Sequence, residues 1–140
     1  RVRQVAPTLL KLPGCGELTA AKIIGETATV TRFRSEAAFA RHTGTAPVPV
    51  WSGNTAGRVR LSRSGNRQLN AALHRIAITQ IRLTDSAGQL YYRKRLADGK
   101  ATKEALRCLK RQLARTVYRR LHTDESTRKT SPNTTEQAAA

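Results

Sequence analysis

The chain has 140 residues, 39% of them hydrophobic, with a formal net charge of +17 and a pI near 11.5. That length holds one domain with one modest core and leaves little room for two. The charge far exceeds what solubility requires and attracts polyanions by counterion release, so nucleic acid is the expected partner class; no apolar run approaches the roughly 20 residues of a membrane span.

The charge is concentrated. Residues 58–122 hold 17 basic against 3 acidic side chains, residues 1–57 hold 7 against 3, and residues 123–140 hold 2 against 3. Cys15 and Cys108 have no Cys or His neighbour at metal-ligand spacing, so free thiols are expected and no metal site or other cofactor within this chain. The Arg-rich start has no apolar h-region of a signal peptide, which points to a soluble, cytoplasmic protein with no membrane partner. Opening on Arg1 rather than on methionine is expected of a piece of a longer protein.

In chain order, helical signals dominate, and the expected fold class is mainly α. Gln4–Lys11 reads as the end of a helix, stopped by Pro13 and Gly14. Glu17–Glu26 reads as a second helix, its inner face either Leu18, Ala21 and Ile24 or Ala20 and Ile23. Helix, Pro-Gly-x-Gly, helix is the layout of a helix-hairpin-helix unit, here about residues 8–28. Gly14 and Gly16 permit positive φ and leave backbone N–H groups at a helix N-terminus, where a phosphate can sit with Lys22 beside it. The plainer alternative is an αα-turn with packing glycines, in which Cys15 is a small buried hydrophobe.

Ser35 is a suitable N-cap for a helix over 36–42 that stops at Gly44. The following segment, residues 44–65, has prolines, glycines and no helical period. Its length favours function over simple connection, and Arg58, Arg60, Arg63 and Arg67 crowd its second half and exit. Val59 and Leu61 alternate with these arginines as a short strand would. Trp51-Ser52-Gly53 offers a hydroxyl with open backbone approach, as a nucleophile attacking a phosphate needs, although Ser-Gly is also an ordinary turn pair. Ser62 and Ser64 are alternative nucleophiles, but Ser64-Gly65-Asn66 stands where a helix starts. Capping and phosphate contact by Asn66 explain it more simply.

From Asn66 a helix is expected to about Leu83, with Leu69, Leu73, Ile76 and Ala77 inward. Asp85 is the expected cap of the next, through about Leu96. The last, about 102–121, turns Leu106, Leu109, Leu113 and Val117 inward, while Arg107, Arg111, Arg115 and Arg119 form a stripe at i, i+4 spacing whose mutual repulsion calls for a neutralising partner. His42, His74 and His122 have no second ligand nearby in sequence and read as structural. Residues 123–140, rich in Thr, Ser and Ala, read as a disordered tail behind a domain of residues 1–122.

Together, LPGCGELTAAKIIGE, FRSEAAFARHTGTAPVPVWSGNTAGRVRLSRSGNRQLNAAL and the Arg-rich helix after them resemble the C-terminal transposase domain of IS110-type insertion elements, a family related to the pilin gene invertase. The resemblance covers about residues 8–122. It implies a recombinase whose upstream RuvC-like domain holds Mg2+ on four acidic residues, and whose C-terminal domain supplies a serine nucleophile, which falls on Ser52. It also implies DNA as substrate, a structured guide RNA as partner and a homodimer or tetramer in the working complex. The acidic domain is absent from this sequence, so the isolated piece is expected to bind without recombining; Cys15 stands where an aliphatic residue is more usual. The rival from another class is a non-catalytic helix-hairpin-helix module that only grips nucleic acid; a ribosome-associated RNA-chaperone role suits the charge but leaves the Ser-Gly segment unexplained.

Overall fold

Proline chemistry decides how the chain begins. In the computed structural model, which describes residues 2–46 and 66–130, the expected first helix is split into α1 (Val2–Val5) and α2 (Pro7–Leu10). Pro7 disfavours helical backbone in the residue before it, and Ala6 accordingly sits at φ −138°, ψ 59°. The chain then turns at Gly14, φ +89°, into α3 (Glu17–Thr27). Of the two candidate inner faces of α3, Ala20 and Ile23 are buried while Leu18 is 87% exposed.

A 3-10 turn over Val30–Arg32 leads to α4 (Glu36–Thr43), capped as its sequence predicts. Ser35 Oγ accepts the Ala38 N–H at 3.1 Å, and Gly44 closes the helix in the left-handed region at φ 78°. Asn66 opens α5 (Arg67–Arg82) by accepting the Leu69 N–H at 3.0 Å. Then follow α6 (Ala87–Ala97) and α7 (Thr102–Thr130). The fold is mainly α, with no strand among the described residues.

α7, with 29 residues and a length of about 43 Å, is the spine: α2, α4, α5 and α6 all pack against it. Its Leu109 and Val117 are fully buried with Leu9, Ile23, Phe39, Leu69, Leu73 and Ile76 in one continuous core. An aromatic chain ties α4 to α7. Phe33 meets Phe39 edge-on at 5.3 Å, Phe39 meets Tyr118 at 5.6 Å, and Tyr118 meets His122 at 4.6 Å. α6 docks differently, through Gly88: a Cβ there would stand 2.0 Å from Gln80 Oε1. Gln80 in turn donates to the Pro13 carbonyl at 2.7 Å.

Two expectations are corrected here. Ser86, not Asp85, caps α6: its hydroxyl accepts the Gln89 N–H at 3.1 Å, whereas Asp85 lies at φ +62°, outside the extended region an N-cap occupies. The tail does not begin at residue 123 either, because α7 continues to Thr130 with Asp124 and Glu125 buried. The physical reason is long-range pairing. Asp124 accepts the N–H groups of Thr8 and Leu9 at 3.0 and 3.1 Å, and Glu125 accepts the Thr29 hydroxyl. These polar residues are helix caps and anchors for the start of the chain.

Candidate nucleic-acid interface

The solvent side of α5 carries the site. Arg67, His74, Arg75, Ile78 and Arg82 recur every few residues along a helix whose opposite side is the core, so they share one exposed stripe. Thr43 and Gly44 at the end of α4, and Lys110 from α7, close that stripe into a groove of about 690 Å³. Among the described residues its lining contains no Asp or Glu. Arg67, Arg75 and Arg82 make no ion pair among the described residues.

Asn70 is the fastener. Its Nδ2 donates to the carbonyls of Thr43 and Gly44 at 3.1 and 3.3 Å, satisfying the last acceptors of α4. Its Oδ1 accepts from Lys110 Nζ at 2.8 Å. Burial, and then the charge of Arg107, lowers the Lys110 pKa from its ordinary value. Burial, and then Lys110, likewise lowers that of His74, so this imidazole is held towards its neutral form. The far end of the preceding segment is pinned at the same place: the Asn66 N–H donates to the His42 carbonyl at 2.6 Å, and Asn66 Nδ2 to Glu26 Oε1 at 2.9 Å.

The residues singled out from sequence divide among three places. Asn66 and Arg67 line the groove. Gly14, Gly16 and Lys22 stand apart from its lining, on the turn into α3 and on α3 itself. Gly14 packs against α5, where a Cβ would meet the Ile76 carbonyl at 3.0 Å and Thr79 Cβ at 3.2 Å, so close approach and positive φ both require glycine. Gly16 has open space around it and N-caps α3, and the first turn of that helix carries Glu17, whose Oε1 takes Arg3 Nε at 2.6 Å. Lys22 is exposed. Cys15 is buried between the glycines, and its burial, opposed by Arg120, pushes the thiol up to about 11. That suits a packing residue and not a nucleophile.

On α7 the arginine stripe is largely paired from within. Glu104 takes Arg107 at 3.6 Å and Arg111 at 3.5 Å, Glu36 takes Arg119 at 2.9 Å, and Arg115 is exposed with no ion pair among the described residues. Ser52, Arg58, Arg60 and Arg63, with Trp51, Val59, Leu61, Ser62 and Ser64, lie outside the described residues. Sequence reasoning passed over Asn70, Arg75, Arg82 and Lys110, and read His74 as structural. The signal was present: cations at 67, 75 and 82 recur at intervals of eight and seven, which is one helical face.

Among the described residues no three His, Cys, Asp or Glu side chains come together to hold a metal ion, and no helix is long and apolar enough to cross a membrane. Residues 6–93 match the Transposase IS116/IS110/IS902 family. An uncharacterized 43.6 kDa protein of insertion element IS110 from Streptomyces coelicolor is 34% identical over 108 residues, covering 77% of this chain and 26% of its own length. An uncharacterized 42 kDa protein of insertion element IS900 from Mycobacterium paratuberculosis is 32% identical over 108 residues, covering 76% of this chain and 27% of its own length. The chain thus spans about a quarter of the length of these relatives.

Proposed function

The chain belongs to the IS116/IS110/IS902 transposase family, and from that premise we propose that it is the domain of a DNA transposase that supplies the serine through which a strand is cut and rejoined. The nucleophile is Ser52. Its Oγ loses a proton and attacks a DNA phosphodiester; the P–O bond to one sugar breaks, and the departing oxygen takes up a proton. The resulting phosphoserine ester keeps the strand end activated until a hydroxyl from a partner strand attacks it and frees the serine, so rejoining needs no outside energy source. Arg58, Arg60, Arg63 and Arg67 offer planar forks to the charge that develops on phosphorus oxygens.

One observation carries this reading beyond the family match. Both ends of the segment that contains Ser52 open at the basic groove: Thr43 and Gly44 before it and Asn66 and Arg67 after it are lining residues. A strand held in the groove therefore runs past the roots of the segment bearing the nucleophile. In this reading the helix-hairpin-helix turn at Gly14 and Gly16, with Lys22, grips further phosphates, as do exposed Arg115 and, on exchanging Glu104 for phosphate, Arg107 and Arg111. Magnesium is held, in the same reading, by an upstream RuvC-like domain, and no step assigned to this chain passes through the ion. A structured guide RNA pairs with donor and target DNA, and dimers or tetramers hold the ends for exchange.

The test incubates full-length enzyme, RNA and DNA and recovers protein-linked DNA under denaturing conditions. The wild type gives the adduct and Ser52→Ala does not. An adduct that survives Ser52→Ala moves the nucleophile to Ser62 or Ser64. No adduct from any variant or from the wild type makes this a binding module without chemistry.

A further inference from the structure

Arg67, Arg75 and Arg82 stand exposed along one side of α5 with no acid beside them among the described residues. On α5 the separations Arg67–Arg75 and Arg75–Arg82 amount to about 12 and about 10 Å along the axis. A small anion would satisfy one of them and leave the others unneutralised. The row is matched by a ligand with charge repeated along its length, as a polynucleotide backbone has.

The floor of the groove narrows the choice further. Between the cations lie Ala71, Ile78 and Thr79, with His74 beside Lys110; Ala71 and His74 are exposed and Ile78 half-buried. A duplex turns phosphates and sugars outward and keeps its base faces stacked inside, so an apolar floor behind a cationic rim gains nothing from it. Unpaired bases have free π-faces that lie well on apolar, imidazole and guanidinium surfaces. The imidazole is suited to that task because desolvation, then Lys110, holds it towards the neutral form, in which it stacks and offers one donor and one acceptor.

We propose that this groove binds an unpaired stretch of nucleic acid, its phosphates along Arg67, Arg75, Arg82 and Lys110 and its bases against Ile78 and His74. This rests on the reading that the domain handles nucleic acid, and it makes α5 the place where a strand separated from its complement is held. Single-stranded DNA and unpaired RNA share the required chemistry.

The measurement is fluorescence anisotropy of the 140-residue chain with labelled oligothymidine, oligouridine and a duplex, each of about 15 units, over a salt series. Tighter binding of an unpaired strand than of the duplex is expected, and the better of the two unpaired probes tells whether the DNA or the RNA form is preferred. At about 0.1 M salt a slope of ~0.7 per phosphate contact is a factor of ~5, so the double variant Arg75→Ala/Arg82→Ala should weaken single-strand binding about 25-fold and flatten the salt slope by about 1.4. His74→Ala with Ile78→Ala should weaken unpaired binding and leave that slope unchanged, which separates base contact from charge. Lys129→Ala, about 28 Å from Lys110 along α7, should change neither, and circular dichroism verifies that every variant is folded. Duplex binding that equals or exceeds single-strand binding, or groove variants that bind as wild type, overturns the groove assignment and leaves the nucleic-acid reading standing. Failure to bind any of the three probes overturns both.

Discussion

Replacing Asp124 by alanine should unpin the beginning of the chain from its end. Asp124 is 2% exposed, and its two oxygens accept the N–H groups of Thr8 and Leu9, residues 116 and 115 positions away. Those are first-turn donors of α2, which have no partner within their own helix, and the N-cap residue Ala6 has no side chain able to accept them. Alanine leaves both without an acceptor. A buried donor left unmade costs about 1–3 kcal/mol; taking the lower end for half-buried Thr8 and the middle for fully buried Leu9 gives a loss of about 3 kcal/mol. That is a large part of the 5–15 kcal/mol typical of a domain, and it corresponds to a fall in Tm of roughly 10 °C. Urea unfolding followed by circular dichroism should show the midpoint lowered with the m-value unchanged, and amide exchange at Thr8 and Leu9 should quicken. Asp124→Asn, which retains one acceptor oxygen, should fall between. A loss below about 1 kcal/mol for alanine, or protected amides at Thr8 and Leu9 in that variant, would refute the long-range cap. Truncation after His122, harmless if the remainder were a disordered tail, should be at least as damaging as the point change.

Gly14→Ala combines strain at φ +89° with a Cβ pressed to 3.0 Å from the Ile76 carbonyl and should cost about 1–3 kcal/mol. Gly16→Ala meets nothing within 4 Å and should leave the unfolding midpoint nearly unchanged, so any loss of DNA binding in that variant reports the exposed turn itself. Acid should weaken the fold in two stages. The pKa values of His42 and His74 are lowered from 6.5, by burial first and then by Arg32 and Lys110 respectively, so the unfolded chain binds more protons and stability declines as pH falls below 6.5 through their folded values. Glu125 follows: burial raises its pKa, but the Thr29 bond and the charges of Lys129 and Arg128 outweigh it, leaving the group below 4.5. Its contribution is complete above 4.5 and disappears as pH falls through the depressed value, so Glu125→Gln should remove the second stage; a Tm that rises between pH 6.5 and 5 would contradict the first.

Much of the fold was legible because its signals act within a turn or two. Ser35 and Asn66 cap their helices by reaching three residues ahead, Pro13-Gly14 stops a helix by backbone geometry alone, and Leu69, Leu73, Ile76 and Ala77 fall inward because 3.6-residue periodicity leaves one face for the core. Where neighbouring residues offered rival local solutions, the packing decided. Ala20 and Ile23 are buried and Leu18 is exposed in an α3 that packs against α5, and Asp85, the expected cap, gives way to Ser86, which has the extended backbone an N-cap needs.

Composition and helical periodicity by themselves determined a strongly basic, mainly helical domain. Only the tertiary structure decided which cations stand free. Glu104, shared between Arg107 and Arg111, and Glu36, on Arg119, pair with three of the four arginines of the stripe on α7, while the described residues bring no acid to Arg67, Arg75 and Arg82. Only tertiary structure, too, turned a polar stretch that reads as tail into the last turns of α7, through partners 96 to 116 residues away. The reason is range: capping and amphipathicity depend on spacing along the chain, whereas charge convergence and buried polar pairing depend on which helices lie side by side, and local spacing does not encode that.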